Sequence, residues 1–365
     1  MFTDANTSMK QILIILLIVF FSCSTSDKQF SEEQWHNHVL HTDTAFLYAP
    51  HYKNGEFFNP WMPMKDRSFF HFLKWKFSNN SYSYTEEEKS YLPQVIPNSL
   101  ERIHSLGNSD FIMWVGHNTF LIRIDSIYFI IDPIFSERAL LPKRLTPPGI
   151  SVNELKQLTS EIHVIITHNH YDHLDEDSIK QLPKQSVFYV PSGLKNYFIS
   201  LGRNNVVELD WWQEFTMNKN FKIVSLPAQH WSKRVTQSTN STLWASYMLI
   251  TPKLTIYIAG DSGYFIGYRE YGKKFLHIDY ALLPTTAYHP RWFMHYAHMD
   301  VHEALMAFED LGAHYFIPTQ WGTFALGEEP PGFPALDLKR KIAEKGLDQK
   351  RFLIMDIGEI KILKK

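Results

Sequence analysis

Between residues 168 and 175 the chain reads His168-Asn169-His170-Tyr171-Asp172-His173-Leu174-Asp175, with five metal- or proton-binding side chains in eight residues. They follow directly on the apolar run Ile162-His163-Val164-Ile165-Ile166. A β-branched run of this kind predicts a buried strand, so the polar cluster falls on the loop at the strand's C-terminal end. Residues two apart in extended chain point the same way, which lets His168 and His170 converge on one point. Asp172 and His173 then face a second point nearby. Two imidazoles for one ion, and a carboxylate plus an imidazole for another, begin a two-metal site for zinc or a similar ion. So many polar groups placed straight after a hydrophobic strand are costly unless something binds there.

The remaining ligands of such a site must come from other strand ends. Pro227-Ala228-Gln229-His230 follows the apolar run 221–226, and Gly260-Asp261-Ser262-Gly263 follows the run 254–259. Alone, His230 reads equally well as a hydrogen-bonded histidine and Asp261 as a turn aspartate. Beside the histidine-rich loop, His230 completes a three-histidine set and Asp261 offers two oxygens to bridge both positions. The glycines flanking Asp261 permit the tight turn this needs.

The elements that must carry these residues are legible from periodicity. Runs 111–115, 119–124 and 128–131 predict an antiparallel meander, its turns marked by Gly116-His117-Asn118 and Asp125-Ser126. Strands are predicted at 164–166, 187–190, 206–209, 221–226, 243–250, 254–259, 281–283, 352–355 and 359–363, with another closing at Ile317. Helices are predicted at 175–181, 194–201, 301–311 and 336–345. Two sheets with helices outside make an α/β sandwich.

The chain has 365 residues, 44% of them hydrophobic, enough for a substantial core. Thirty-six basic against 38 acidic residues argue against a nucleic-acid partner. Cys23 is the single cysteine, so no intrachain disulfide can form. Met9-Lys10 precedes an apolar run from Ile12 to Phe21 that leads into Ser22-Cys23. That run is too short to span a bilayer and fits a secretory h-region. The expectation is a lipoprotein-type signal peptide over 1–22, Met9 being the true start, with a lipid on Cys23 and a tether over 23–45. An uncleaved N-terminal anchor is the alternative. Either places the protein at a membrane, and the lipoprotein reading places it in a bacterial cell envelope, on a periplasmic or outer-membrane face. The catalytic domain is expected over 46–365. Its aromatic-rich start, 46–100, reads as core-covering or, around 51–77, as an amphipathic surface facing lipid.

The run His-Xaa-His-Xaa-Asp-His at 168–173 resembles the signature of the metallo-β-lactamase fold, an αββα sandwich. Further motifs are Asn59-Pro60-Trp61, Trp114-Val115-Gly116-His117-Asn118-Thr119, Asp132-Pro133-Ile134-Phe135, Gln229-His230-Trp231-Ser232-Lys233-Arg234, Gly260-Asp261-Ser262-Gly263-Tyr264 and Pro290-Arg291-Trp292-Phe293-Met294. Together they resemble the N-acylphosphatidylethanolamine-hydrolysing phospholipase D family across residues 45–363. The resemblance implies a zinc-dependent phosphodiesterase that cleaves a phospholipid to N-acylethanolamine and phosphatidate through a metal-bridging hydroxide. It implies one zinc on His168, His170, His230 and Asp261, and a second on Asp172, His173 and Asp261. The family takes its last ligand from a histidine before Trp-Gly-Thr-Phe, where this chain has Gln320, so the Gln320 carbonyl is expected there as a weaker donor. Asp172 would orient the hydroxide. Tyr171 and His298 are candidates for contacting phosphate or protonating the leaving group. A lactone or soluble phosphodiester as substrate, or a membrane-tethered binding protein without turnover, are the rival readings.

Overall fold

A computed structural model describes residues 30–64, 73–75, 77, 82–218 and 220–364. Cys23, the expected signal peptide and Phe69, Phe70 and Phe72 of the aromatic-rich segment lie outside the described residues. Contacts divide the chain into residues 1–36 and 37–365. Of the first unit, residues 30–36 are described, and they begin the helix Glu32–Leu40. That helix falls in the stretch expected as a tether.

The second unit is built on two mixed sheets. After a small hairpin, β1 (Tyr52–Lys53) and β2 (Glu56–Phe57), come β3 (Phe111–Gly116), β4 (Thr119–Ile124), β5 (Ile127–Ile131), β6 (His163–Ile165), β7 (Val187–Pro191) and β8 (Val206–Leu209). With the C-terminal β15 (Ile360–Ile362) they form a seven-stranded sheet in the order β15-β3-β4-β5-β6-β7-β8. The six-stranded sheet uses β9 (Glu214–Asn218), β10 (Phe221–Leu226), β11 (Ser246–Ile250), β12 (Thr255–Ile258), β13 (Tyr280–Pro284) and β14 (Tyr315–Thr319), in the order β14-β13-β12-β11-β10-β9. The expected meander is β3-β4-β5. The run 352–355 is not a strand: after a short 3₁₀ turn, Phe352 makes one isolated bridge to Phe316 on the edge strand β14.

Alternation explains the layers. Phe111, Met113 and Val115 of β3 share a face with Leu121, Ile130, Val164 and Phe188, and this face packs on Ile103, Leu155, Ile179 and Phe198 from helices Ser99–Ser105, Val152–Leu158, Glu176–Gln181 and Lys195–Ser200. The opposite face meets the second sheet, with the Phe129 and Phe221 rings 6.3 Å apart and Tyr189 and Phe215 5.5 Å apart. Helix Val301–Leu311 covers the outer side of β13, its apolar face formed by Ala304, Leu305, Phe308 and Leu311. It starts at an Asp300–Glu303 capping box and stops at left-handed Gly312. The result is the expected αββα sandwich.

Strand direction decides where the polar loops go. β5 and β6 are parallel, and β3 is antiparallel to β4, which is antiparallel to β5, so β3, β5 and β6 end at the same edge. By the same reasoning β10, β12 and β14 end together. His117, Asp132, the 168–173 loop, His230, Asp261 and Gln320 are all delivered to these ends.

Glu329, in the loop after β14, is buried and accepts the backbone N–H groups of Tyr288 (3.1 Å) and His289 (3.0 Å). Burial pushes its carboxyl up to about 7. The folded chain therefore keeps a proton that the unfolded chain releases above the ordinary carboxylate pKa, so this group's contribution to stability falls as pH rises from about 4.5 through 7. Glu329→Gln carries no charge to penalise. Its Tm relative to the parent should rise between about pH 5 and pH 8, and a difference constant with pH would contradict this assignment.

Candidate metal centre

His168 and His170 lie on the loop after β6, and His230 follows β10. Their ligating nitrogens face one another: His168 Nε2 is 2.8 Å from His170 Nδ1, which is 3.1 Å from His230 Nε2. Asp261 Oδ2 lies 3.4 Å from His230 Nε2 and 3.8 Å from His168 Nε2. Ligand atoms around a tetrahedral zinc bonded at about 2.0–2.1 Å stand about 3.4 Å apart, so these four edges fit one ion. His230 Nδ1 faces the Ala297 carbonyl at 3.1 Å, which leaves Nε2 for the cluster.

The second cluster is His117, Asp172 and His173. Asp172 Oδ2 is 3.0 Å from His117 Nε2 and 3.4 Å from His173 Nε2, and His173 Nε2 is 3.1 Å from Asp261 Oδ1. Asp261 thus turns one oxygen to each cluster. Gly260, at φ +63, brings it there. A Cβ at that position would meet Thr167 Cβ at 2.7 Å, so only glycine lets the two loops approach. Behind His173, Asp132 Oδ2 accepts from Nδ1 at 2.7 Å and also from Asn118 Nδ2 and the Thr167 hydroxyl, each at 2.7 Å.

The electrostatics favour a cation. Burial, then the neighbouring histidines, pushes His168 well below the ordinary imidazole range. Burial does the same to His230 and takes His170 to about 4. Burial opposes charge on His173 too, but Asp261, Asp172 and Asp132 outweigh it and hold a proton there. For Asp172 and Asp261 burial alone would raise the pKa. The facing His173, with His117 beside Asp172 and His230 beside Asp261, holds both well below the carboxylate range. The neutral His168, His170 and His230 and the ionised carboxylates are in the state that metal binding requires, while His173 would give up its proton to an ion. His170 Nε2 and His173 Nε2 are buried without a hydrogen bond.

Gln320 meets the centre as a hydrogen-bond donor: its Nε2 donates to Asp261 Oδ1 (2.6 Å) and the Gly260 carbonyl (3.2 Å). Because both partners are acceptors, the amide nitrogen must face them, and the carbonyl expected as a ligand is turned away. Tyr171 is stacked 4.0 Å from the Arg234 guanidinium, and its hydroxyl accepts from Val235 N. His298 is half-buried, its ring 5.3 Å from that of His230. The residue missed from sequence is His117, set aside as part of a turn between strands. Both flanking strands are buried on both faces, so that turn had to lie inside.

Residues 128–321 match the family model described as the Beta-lactamase superfamily domain. The chain is 30% identical over 306 residues to N-acyl-phosphatidylethanolamine-hydrolyzing phospholipase D 1 of Caenorhabditis elegans, covering 77% of this chain and 84% of that protein. It is 32% identical over 249 residues to the mitochondrial N-acyl-phosphatidylethanolamine-hydrolyzing phospholipase D of Saccharomyces cerevisiae, covering 64% and 52%. Among solved structures, the metallo hydrolase Igni18 of Ignicoccus hospitalis superposes with a TM-score of 0.55 at 20% identity, over 70% of this chain and 99% of that one. At that identity the likeness speaks for the fold.

Residues ahead of the matched segment also reach the centre. Asn59 is buried and its Nδ2 donates to the His230 carbonyl (3.1 Å) and the Tyr296 hydroxyl (2.7 Å), while Trp61 Nε1 donates to Gln229 Oε1 (3.1 Å). The Trp61 ring packs 5.2 Å from both Trp211 and Phe265. Phe57, Trp61, Met62 and Trp75 are buried, so these described parts of the aromatic-rich segment cover the core. Asn59 braces the loop that carries His230. Asn59→Ala should weaken metal affinity about 10–100-fold, the usual cost of losing a partner behind a ligand, as read by competition with a zinc indicator. Unchanged affinity would show that the brace does not position His230.

Proposed function

Because the chain belongs to the metallo-β-lactamase superfamily of metal-dependent hydrolases, we propose that it is a zinc-dependent phosphodiesterase. The substrate is an N-acylphosphatidylethanolamine-type glycerophospholipid, cleaved to N-acylethanolamine and phosphatidate. The observation that carries this reading is the pair of clusters joined through the two oxygens of Asp261. Bound there, two divalent ions would activate water near neutral pH and draw in the anionic oxygens of a phosphodiester. The named activity of the worm and yeast relatives supports the lipid over other phosphodiesters.

The chain's own groups divide the remaining work. Asp172, 15% exposed where Asp261 is 4% exposed, lies on the accessible side and orients the attacking water. Asp132 fixes the His173 ring through Nδ1. His298, its ring 5.3 Å from that of His230, would give a proton to the departing ethanolamine oxygen. Tyr171, on the loop that carries His170 and Asp172, turns with Ser136, Arg138, Leu140, Glu176 and Arg234 to a hollow of about 510 Å³. Leu140 and the adjacent Leu141 are 50% and 77% exposed, an apolar tip suited to lipid contact. A lipid on Cys23, holding the protein in a bacterial cell envelope, would keep the site at its substrate.

The reading without turnover rests on Gln320 as a poor ligand, and His117 beside Asp172 favours the enzyme over it. Purified protein should release N-acylethanolamine from vesicles containing N-acylphosphatidylethanolamine. It should lose that activity on chelation and regain it with zinc. Turnover of bis(4-nitrophenyl) phosphate alone would overturn the lipid substrate, and a metal-loaded, folded protein that turns over neither would overturn the enzyme.

A further inference from the structure

We propose that His117 is the last ligand of the second metal position, and that Gln320 is a positioning residue with a different task. This rests on the two-metal reading of the centre, and its test counts metal and does not depend on the substrate.

The hydrogen bonds set an acceptor behind each ring. His117 Nδ1 lies 3.2 Å from the Gln320 carbonyl, which takes the ring proton once Nε2, 3.0 Å from Asp172 Oδ2, gives its lone pair to a cation. On His173, Nδ1 likewise donates to Asp132 Oδ2, and Nε2 faces Asp261 Oδ1 and Asp172 Oδ2. An ion taking the place of a proton between these groups would meet two imidazole lone pairs and two carboxylate oxygens. A divalent cation is what such a set of donors accepts, and a partner behind each imidazole is the arrangement that orients a ligand.

The backbone is shaped for this. A β-bulge between Trp114 and Gly116 interrupts the β3–β4 register, with Gly116 at φ +130 and His117 at φ +49. Left-handed backbone costs a residue with a side chain about 1–2 kcal/mol, and bulges commonly re-aim a side chain beside an active site. Three hydrogen bonds hold the turn: His117 N to Thr323 Oγ1 (2.7 Å), Trp114 Nε1 to the His117 carbonyl (2.8 Å) and Gln320 N to the same carbonyl (3.1 Å). Gln320, itself at φ +75, thus touches the centre three ways. Its backbone N–H and carbonyl bracket His117, and its side-chain amide holds Asp261 Oδ1. In the resembled family this position carries the metal. Here the ligand has moved from the end of β14 to the end of β3, and position 320 holds the two neighbours in place.

The full chain, loaded with zinc and dialysed, should carry about two ions by mass spectrometry, and His117→Ala should carry about one. His117→Ala/Gln320→His should regain the second ion, because the family-type ligand returns. Gln320→Ala should bind both ions at saturation, with the second weakened about 10–100-fold. The cobalt(II)-loaded His117→Ala protein should lose the visible band of the second ion and keep that of the first, which also shows that it is folded. Should His117→Ala fail to fold, His117→Gln, closer in volume, should show the same loss of affinity. The proposal is overturned if His117→Ala keeps two ions at parental affinity, if Gln320→Ala alone loses the second ion, or if the double variant stays at one.

Discussion

Taking carboxylates out of water is the constraint on which the rest of this structure depends. Asp132 and Asp261 are buried and Asp172 nearly so, and the His173 ring meets all three. An isolated ionised carboxylate in such surroundings would cost many kcal/mol, so each needs a full complement of donors or a cation. Asp132 is satisfied by protein alone, through Asn118, the Thr167 backbone and hydroxyl, and His173. Those bonds tie the ends of β4, β5 and β6 into one unit. Asp261 is met by Gln320 and by the charged His173, and otherwise faces imidazoles that favour the neutral form at His168 and His230. The difference separates a structural carboxylate from one left open to metal.

The two sheets are the means of delivery. Six strands that run in one sense end at a shared edge, and each supplies one or more of the polar groups gathered there. Backbone strain falls on the same edge: His117, Asp132 and Gln320 all hold positive φ, the last two directly after strands and the first just past a bulge. These positions persist because each is held by several hydrogen bonds. A strand end alone would not aim its side chain so closely, and the asymmetric centre is the product of those local kinks.

Much of this was legible in the sequence. The apolar runs place most of the sheet and the helix Val301–Leu311, since long periodic or β-branched stretches leave little choice. His168, His170, Asp172, His173, His230 and Asp261 stood out because each follows such a run, and the structure brings them together. The edge strand β9 (Glu214–Asn218) escaped notice because polar Glu214, Thr216 and Asn218 interrupt it. His117 escaped because a Gly-His-Asn turn reads as surface, although two wholly buried strands enclose it. At Gln320 the residue type suggests a weak ligand, while the hydrogen bonds give its side chain the part of a donor. The helix Glu32–Leu40 was hidden by the polar composition of its surroundings.

What makes the centre is a shared carboxylate between two unlike positions, and the most direct test is the anomalous signal of the zinc-loaded protein in a crystal. The expected result is two peaks. One should lie among His168, His170 and His230, the other among His117, Asp172 and His173, with Asp261 between them. A single peak, or a second one reached by the Gln320 side chain with His117 turned away, would contradict it.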